Sequence, residues 1–238
     1  MAAYLKISKS LLPSYMKFAL ITEGPSEHRV IKHIVSKYFK EHEPDVNQIQ
    51  PKLIDNKQDQ ATPGGWPEVL KYCERTELKD IFVENDYLII QIDSDQSQTA
   101  TFGVSHSKAN NQSKSIDELH QDIVSKLKSL IKPEILAQYG DKIFFAICVH
   151  TIECWLLPIY YVGKKKINPN NCGRALNVEL PKNNIHVIPL NDKNGPNALK
   201  AYSSILSTWK RKKDITDSAK NDPAFKLFID TLGAIESV

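Results

Sequence analysis

Long apolar runs are missing from this 238-residue chain. No stretch reaches the roughly 18 apolar residues of a membrane span, and the N-terminus has no long apolar segment followed by a small-residue cleavage site, so neither a spanning helix nor a signal peptide is expected. Cysteine is scarce. Cys73, Cys148, Cys154 and Cys172 form no C-x-x-C pair, which argues against a zinc site, and Cys148 and Cys154 lie in apolar runs. Buried thiols in a reducing compartment, the cytoplasm, are therefore expected rather than disulfides. Charge of one sign is also in short supply: 31 Lys and Arg against 28 Asp and Glu leave a net charge of +3. That is too little to mark a nucleic-acid binder by bulk electrostatics, so any anionic partner must be held locally. The glycines of Thr62-Pro63-Gly64-Gly65 are not followed by G-K-S/T, so they make a turn and not a phosphate loop.

What is present is an ordinary globular balance, 41% hydrophobic and 25% charged, which excludes a disordered, collagenous or coiled-coil chain. A folded chain of this mass buries about 70% of its surface, enough for a full core. Residues 17–22 (KFALIT) read as a strand that stops at Glu23-Gly24-Pro25, where glycine permits a tight turn and proline suits the first position of a helix. From Ser26 to His42 the apolar residues Val30, Ile31, Ile34, Val35, Tyr38 and Phe39 make one helical stripe. A weaker strand is expected over 49–54 and a helix over 67–78. The clearest strand, 87–92 (YLIIQI), is a nearly continuous apolar run, as befits a strand buried on both faces of a parallel sheet, and it ends in Asp93-Ser94-Asp95. Residues 96–114 are polar and read as a lid or substrate loop. A helix over 116–131 and a strand over 143–149 lead into His150-Thr-Ile-Glu153-Cys-Trp155-Leu-Leu157.

Alternating strands and helices imply a mainly parallel sheet with right-handed crossovers, and ligands of such sheets bind outside the carboxyl ends of the strands. Glu23, Asp93, Asp95 and Glu153 all fall there. Four carboxylates on one edge are costly unless a cation neutralises them, and a hard ion that prefers oxygen, Mg2+ or Mn2+, suits the donors. Singly, each residue has a plainer reading. Glu23 can cap a strand end, Asp93 and Asp95 can close an Asx turn, and Glu27 is the third residue of a helix capped by Gly24, where a carboxylate suits the helix dipole.

The order E-G-x-S-E after a first strand and D-x-D after a third resembles the Toprim domain of topoisomerases, primases and nucleases. Glu23, Gly24, Asp93 and Asp95 match its motifs, Glu27 matches the extra acidic position of the nuclease branch, and E-x-W-L-L at Glu153 is similar to Toprim-like proteins of bacterial anti-phage gene clusters. The resemblance implies an α/β, Toprim-like (Rossmann-like) domain over residues 17–160, followed over 161–238 by an insertion and a helical C-terminal extension packing on it. It further implies an Mg2+- or Mn2+-dependent nuclease acting on DNA or RNA as a defence effector, with an ATPase partner encoded nearby. Its catalytic residues would be Glu23, Asp93, Asp95 and Glu153, with Glu27 joining them as metal ligands; Glu23 can instead serve as general acid or base. The alternative is a non-hydrolytic Toprim-like binding subunit of a defence complex. Two basic runs, Lys164-Lys165-Lys166 and Lys210-Arg211-Lys212-Lys213, would suit phosphate contacts, although most such runs are solvated surface.

Overall fold

The computed structural model describes residues 15–54, 57–61, 63–161 and 171–235. Its centre is a four-stranded, all-parallel sheet built from β1 (Lys17–Ile21), β2 (Asp45–Gln50), β5 (Tyr87–Asp93) and β6 (Ile143–Cys148), in the order β2-β1-β5-β6. The protein is therefore an α/β protein with a helical C-terminal region. A small antiparallel pair, β3 (Leu53–Ile54) and β4 (Lys57–Ala61), follows the edge strand β2.

The strands alternate faces with period two, and this divides the core. Phe18 and Leu20 of β1, with Ala146 and Cys148 of β6, enter one cluster, whereas Ala19 and Ile21 of β1 and Ile143, Phe145 and Ile147 of β6 enter the other. On the first face lie α1 (Pro25–Tyr38), α6 (Glu153–Leu156), α7 (Cys172–Glu179), α8 (Pro196–Leu206), α9 (Lys212–Ala219) and most of α10 (Pro223–Ile235). On the second lie α2 (Trp66–Cys73), α3 (Ile81–Glu84), α4 (Ile116–Leu130) and α5 (Pro133–Tyr139). Helix α4 starts at a capping box in which the Ser115 hydroxyl accepts from the Glu118 amide and the Glu118 carboxylate accepts from the Ser115 amide. Among the described residues no helix is long and apolar enough to cross a membrane.

Three expectations are corrected. Cys154 and Cys172 are joined by a disulfide, because α6 and α7 pack together and bring two buried thiols into contact across 18 positions of sequence, a separation that carries no signature; Cys73 and Cys148 remain free and buried. The polar loop after β5 is not a loose lid. Phe102 and Val104 are buried, Phe102 stacks on Trp66 at 5.6 Å, and Ser97 donates to the Val104 carbonyl. The second strand lies at Asp45–Gln50, not at 49–54. As an edge strand of largely polar sequence, it carries no apolar run to reveal it.

Candidate functional site

Glu23 immediately follows β1, and its position is fixed from three sides. Its amide donates to Gln91 Oε1 at 3.2 Å, its Oε1 accepts from the Asp93 amide at 2.6 Å, and its carbonyl accepts from the Gly65 amide at 2.7 Å. The glycine turn is thus part of the site. A Cβ on Gly64 would lie 2.3 Å from the Glu23 carbonyl oxygen, closer than any side chain can be accommodated against backbone. At Gly24 a Cβ would meet Asn194 Oδ1 and Glu27 Oε2 at 2.7 Å, side-chain ends that would have to shift from the positions they hold in the site.

Helix α1 has Gly24 as its N-cap and Pro25 in its first turn, so Glu27 sits at the third helical position, as the sequence indicates. Instead of facing solvent, Glu27 is buried at 5% exposure, and its Oε2 accepts from Ser26 Oγ at 2.8 Å. Asp93, at the end of β5, is 6% exposed; Oδ1 accepts from Gln91 Nε2 at 2.9 Å and Oδ2 from the Ile152 amide at 3.3 Å. Asp95 stands beyond it at the exposed mouth, its amide bonded to the His150 carbonyl. Glu153, at the start of α6, is fully buried. Lys193 Nζ lies 2.9 Å from its Oε1 and 3.1 Å from its Oε2, and the Tyr202 hydroxyl donates to Oε1 at 2.5 Å.

The electrostatics show which carboxylates feel one another. Burial pushes Glu23 up to about 8 despite the Asp93 amide, with repulsion from Glu27 and Asp95 adding to the rise and Lys193 opposing it. Asp93 is held well above the usual carboxylate range by burial and by Glu23, Glu27 and Glu153. Glu27 is raised by burial and by Glu153. Burial pushes Glu153 up as well, but Lys193 together with hydrogen bonds from Thr151, Tyr202 and Lys193 outweighs it, and the net shift is downward. One ammonium therefore serves four interacting carboxylates and fully neutralises only one.

Glu23, Glu27, Asp93 and Glu153 are thus brought into mutual electrostatic range at the carboxyl edge of the sheet, with Asp95 at the rim. The oxygen-only donor set suits a hard divalent cation. The side chains as placed do not close around one, since among the described residues no group of three or more His, Cys, Asp or Glu is disposed to hold a metal ion. Lys193 stands in the cationic role instead.

The basic runs fare differently. Lys164, Lys165 and Lys166 lie outside the described residues. In the second run Arg211 pairs with Asp214, Lys213 pairs with Asp217, and Lys212 lies 3.8 Å from the centroid of the Tyr38 ring; Lys210 precedes α9 and donates its amide to Asp214. These groups build the start of a helix.

Sequence reasoning missed Lys193, Asn194, Tyr202 and Gln91. Asn194 Oδ1 accepts from the Ser26 amide at 3.2 Å and lies 2.9 Å from the Ser26 hydroxyl, whose single proton it shares with Glu27, which docks the 191–195 loop on the start of α1. A polar loop far along the chain carries no periodicity to announce this, but Gln91, an amide in the middle of an apolar strand, was a readable signal. In comparisons with known proteins no family model matches the chain, and neither does any curated protein or solved structure.

Proposed function

We propose that the protein is a Toprim-like, metal-dependent phosphodiester hydrolase acting on DNA or RNA. The observation that carries this reading is the convergence of Glu23, Glu27 and Asp93, three carboxylates held above their ordinary range, on the carboxyl edge of a parallel sheet with too little positive charge to satisfy them. Asp93 and Asp95, with Glu23 or Glu27, would have to turn toward an ion to hold Mg2+ or Mn2+, which when bound would polarise a phosphoryl oxygen and acidify a water. Where Glu27 takes the ion instead, Glu23, raised to about 8 in the metal-free chain, is left to accept or deliver a proton near neutral pH. Gln91 orients both Glu23 and Asp93, taking a bond from the first and giving one to the second. Glu153 acts through Lys193 and Tyr202, holding the ammonium at the site.

A role as an anti-phage effector, with an ATPase partner and a cytoplasmic home, belongs to this same reading and rests on the resemblance alone. The Cys154–Cys172 bond weighs against the cytoplasm, where such bonds are rare. A second reading, a non-hydrolytic binding subunit, is favoured by one observation: the Lys193–Glu153 pair already supplies a cation where an ion would sit.

The two readings separate on incubating plasmid DNA, single-stranded DNA and total transfer RNA with Mn2+ or Mg2+. Hydrolysis by the wild type, abolished by chelator and reduced at least about 100-fold in Glu23→Gln and Asp93→Asn, is the expected result. No cleavage together with no calorimetric heat for Mn2+ selects the binding subunit.

A further inference from the structure

A cleft of about 710 Å3 opens between the outer face of α1, the edge strand β2 and α8. Arg29, Lys32, Lys37 and Lys52 line it, and no acidic residue among the described residues does. Positions 29, 32–33 and 36–37 share one face of the helix, and the eight steps from Arg29 to Lys37 span about 12 Å at 1.5 Å each. That is longer than a single phosphate needs.

A second observation at the same place points to a ligand. His28 lines the cleft, is only 9% exposed, and its Nε2 is buried with no hydrogen-bond partner. Buried polar atoms are nearly always paired, and leaving one unpaired costs about 1–3 kcal/mol. Burial, together with Lys32 and Arg29, holds this imidazole down to about 3, so it is neutral and can serve a sugar hydroxyl or a base edge where the lysines serve phosphates. Arg29 and Ser203, joined by a 2.5 Å hydrogen bond, also line a neighbouring cleft that adds Lys200 and His186, which extends the basic path along α8.

We propose that the cleft along α1 is a binding groove for a single strand of nucleic acid, with phosphates on Lys32, Lys37 and Arg29 and with His28, whose Nε2 is shut off from solvent in the free chain, turning to meet a sugar or base atom. The groove is lined at one end by Pro25, at the start of the helix that follows Glu23. The choice of nucleic acid over another polyanion rests on the hydrolytic reading; the groove's attraction for a chain of phosphates does not.

The test is fluorescence anisotropy of a labelled single-stranded oligonucleotide of about 12 nucleotides, titrated in chelator over a range of salt. Wild type is compared with Lys32→Glu/Lys37→Glu, with His28→Leu, and with Lys142→Glu as a control beside β6, far from the cleft in the fold; thermal melts establish that each variant folds. The double variant should bind at least about tenfold more weakly, with its salt slope shallower by about 1.4, or 0.7 for each phosphate of a single strand that is no longer neutralised. His28→Leu should bind about threefold more weakly with the slope unchanged, and Lys142→Glu should match the wild type. The proposal is overturned if the double variant and His28→Leu both stay within twofold of the wild type, if Lys142→Glu weakens binding as much as they do, or if poly-glutamate of equal charge displaces the oligonucleotide, which would make the groove a site for acidic peptide. Because chelator is present, strand binding without cleavage under any condition refutes hydrolysis alone, and cleavage with binding insensitive to these changes refutes the groove alone.

Discussion

At the scale of single residues, the buried carboxylates make the protein's stability depend on pH in an unusual direction. Glu23 titrates near 8 in the folded chain and near 4.5 when unfolded. Between those values the native state therefore holds a proton that the unfolded chain has lost, so the contribution is complete below about pH 4.5 and is lost as pH rises toward 8. Glu27 and Asp93 shift in the same direction and reinforce it. Glu153 shifts downward, so its contribution is present above its unfolded value and disappears on the acid side, outside this window. In chelator, melts at about pH 7 and about pH 8.5, a range in which buried His28 is neutral in both the folded and the unfolded chain, should differ by on the order of 1 kcal/mol, or roughly 2–4 °C, with the alkaline sample the less stable. Glu23→Gln removes the proton exchange and should flatten the slope. A wild-type melting temperature that rises or stays level across that range contradicts the buried cluster.

At the scale of elements, the disulfide ties the four-residue helix that carries Glu153 to α7, whose Gly173 leaves room for the Leu190 side chain, 2.8 Å from where a Cβ would be. Closing 18 positions of chain is worth about 3 kcal/mol in the loop-entropy account. Cys154→Ser/Cys172→Ser should therefore melt roughly 6–12 °C lower than the wild type, and wild type in dithiothreitol should follow it; identical melts with and without reductant show that the bond contributes nothing. Which elements were legible depended on the same kind of contrast. Strands β1, β5 and β6 were readable because a strand sandwiched between two helical layers must be apolar at consecutive positions, and α1 and α4 because one stripe of each is buried. Strand β2, with Asp45, Asn47 and Gln48, is only half-buried, unlike β6 at the opposite edge, and shows no such run. Helix α5 directly after Pro133, and α7 in a stretch of Asn and Arg, bury only a few residues each and were invisible for that reason. At the site, the carboxylates were legible because strand ends are where a parallel sheet presents its ligands. Lys193 and Tyr202 were not, since nothing local ties a loop lysine to a carboxylate 40 positions earlier.

At the scale of the whole molecule, the residues after 171 complete the core as well as the site. The Trp155 indole stacks on Phe225 at 4.8 Å and on Phe228 at 5.4 Å, while Trp209 sits 5.5 Å from Phe225 and donates Nε1 to Ser218. Phe18 and Leu20 of the central strand share one buried cluster with Tyr202, Ile205, Phe225 and Phe228, so the C-terminal helices supply much of the cover on that face of the sheet. Removing them would expose several large side chains that are now fully buried, each worth about 1.5–3 kcal/mol of burial, against a total stability of only about 5–15 kcal/mol for an ordinary domain. It would also remove Lys193 and Tyr202, the partners that hold Glu153 ionised, and uncover that carboxylate. A chain ending at residue 161 should accordingly fail to give a cooperative melt and should bind a hydrophobic dye, even though it keeps all four sheet strands and every carboxylate of the site. A truncated chain that melts cooperatively would instead make the C-terminal helices a separable unit, and Lys193 would lose its place as the resident cation.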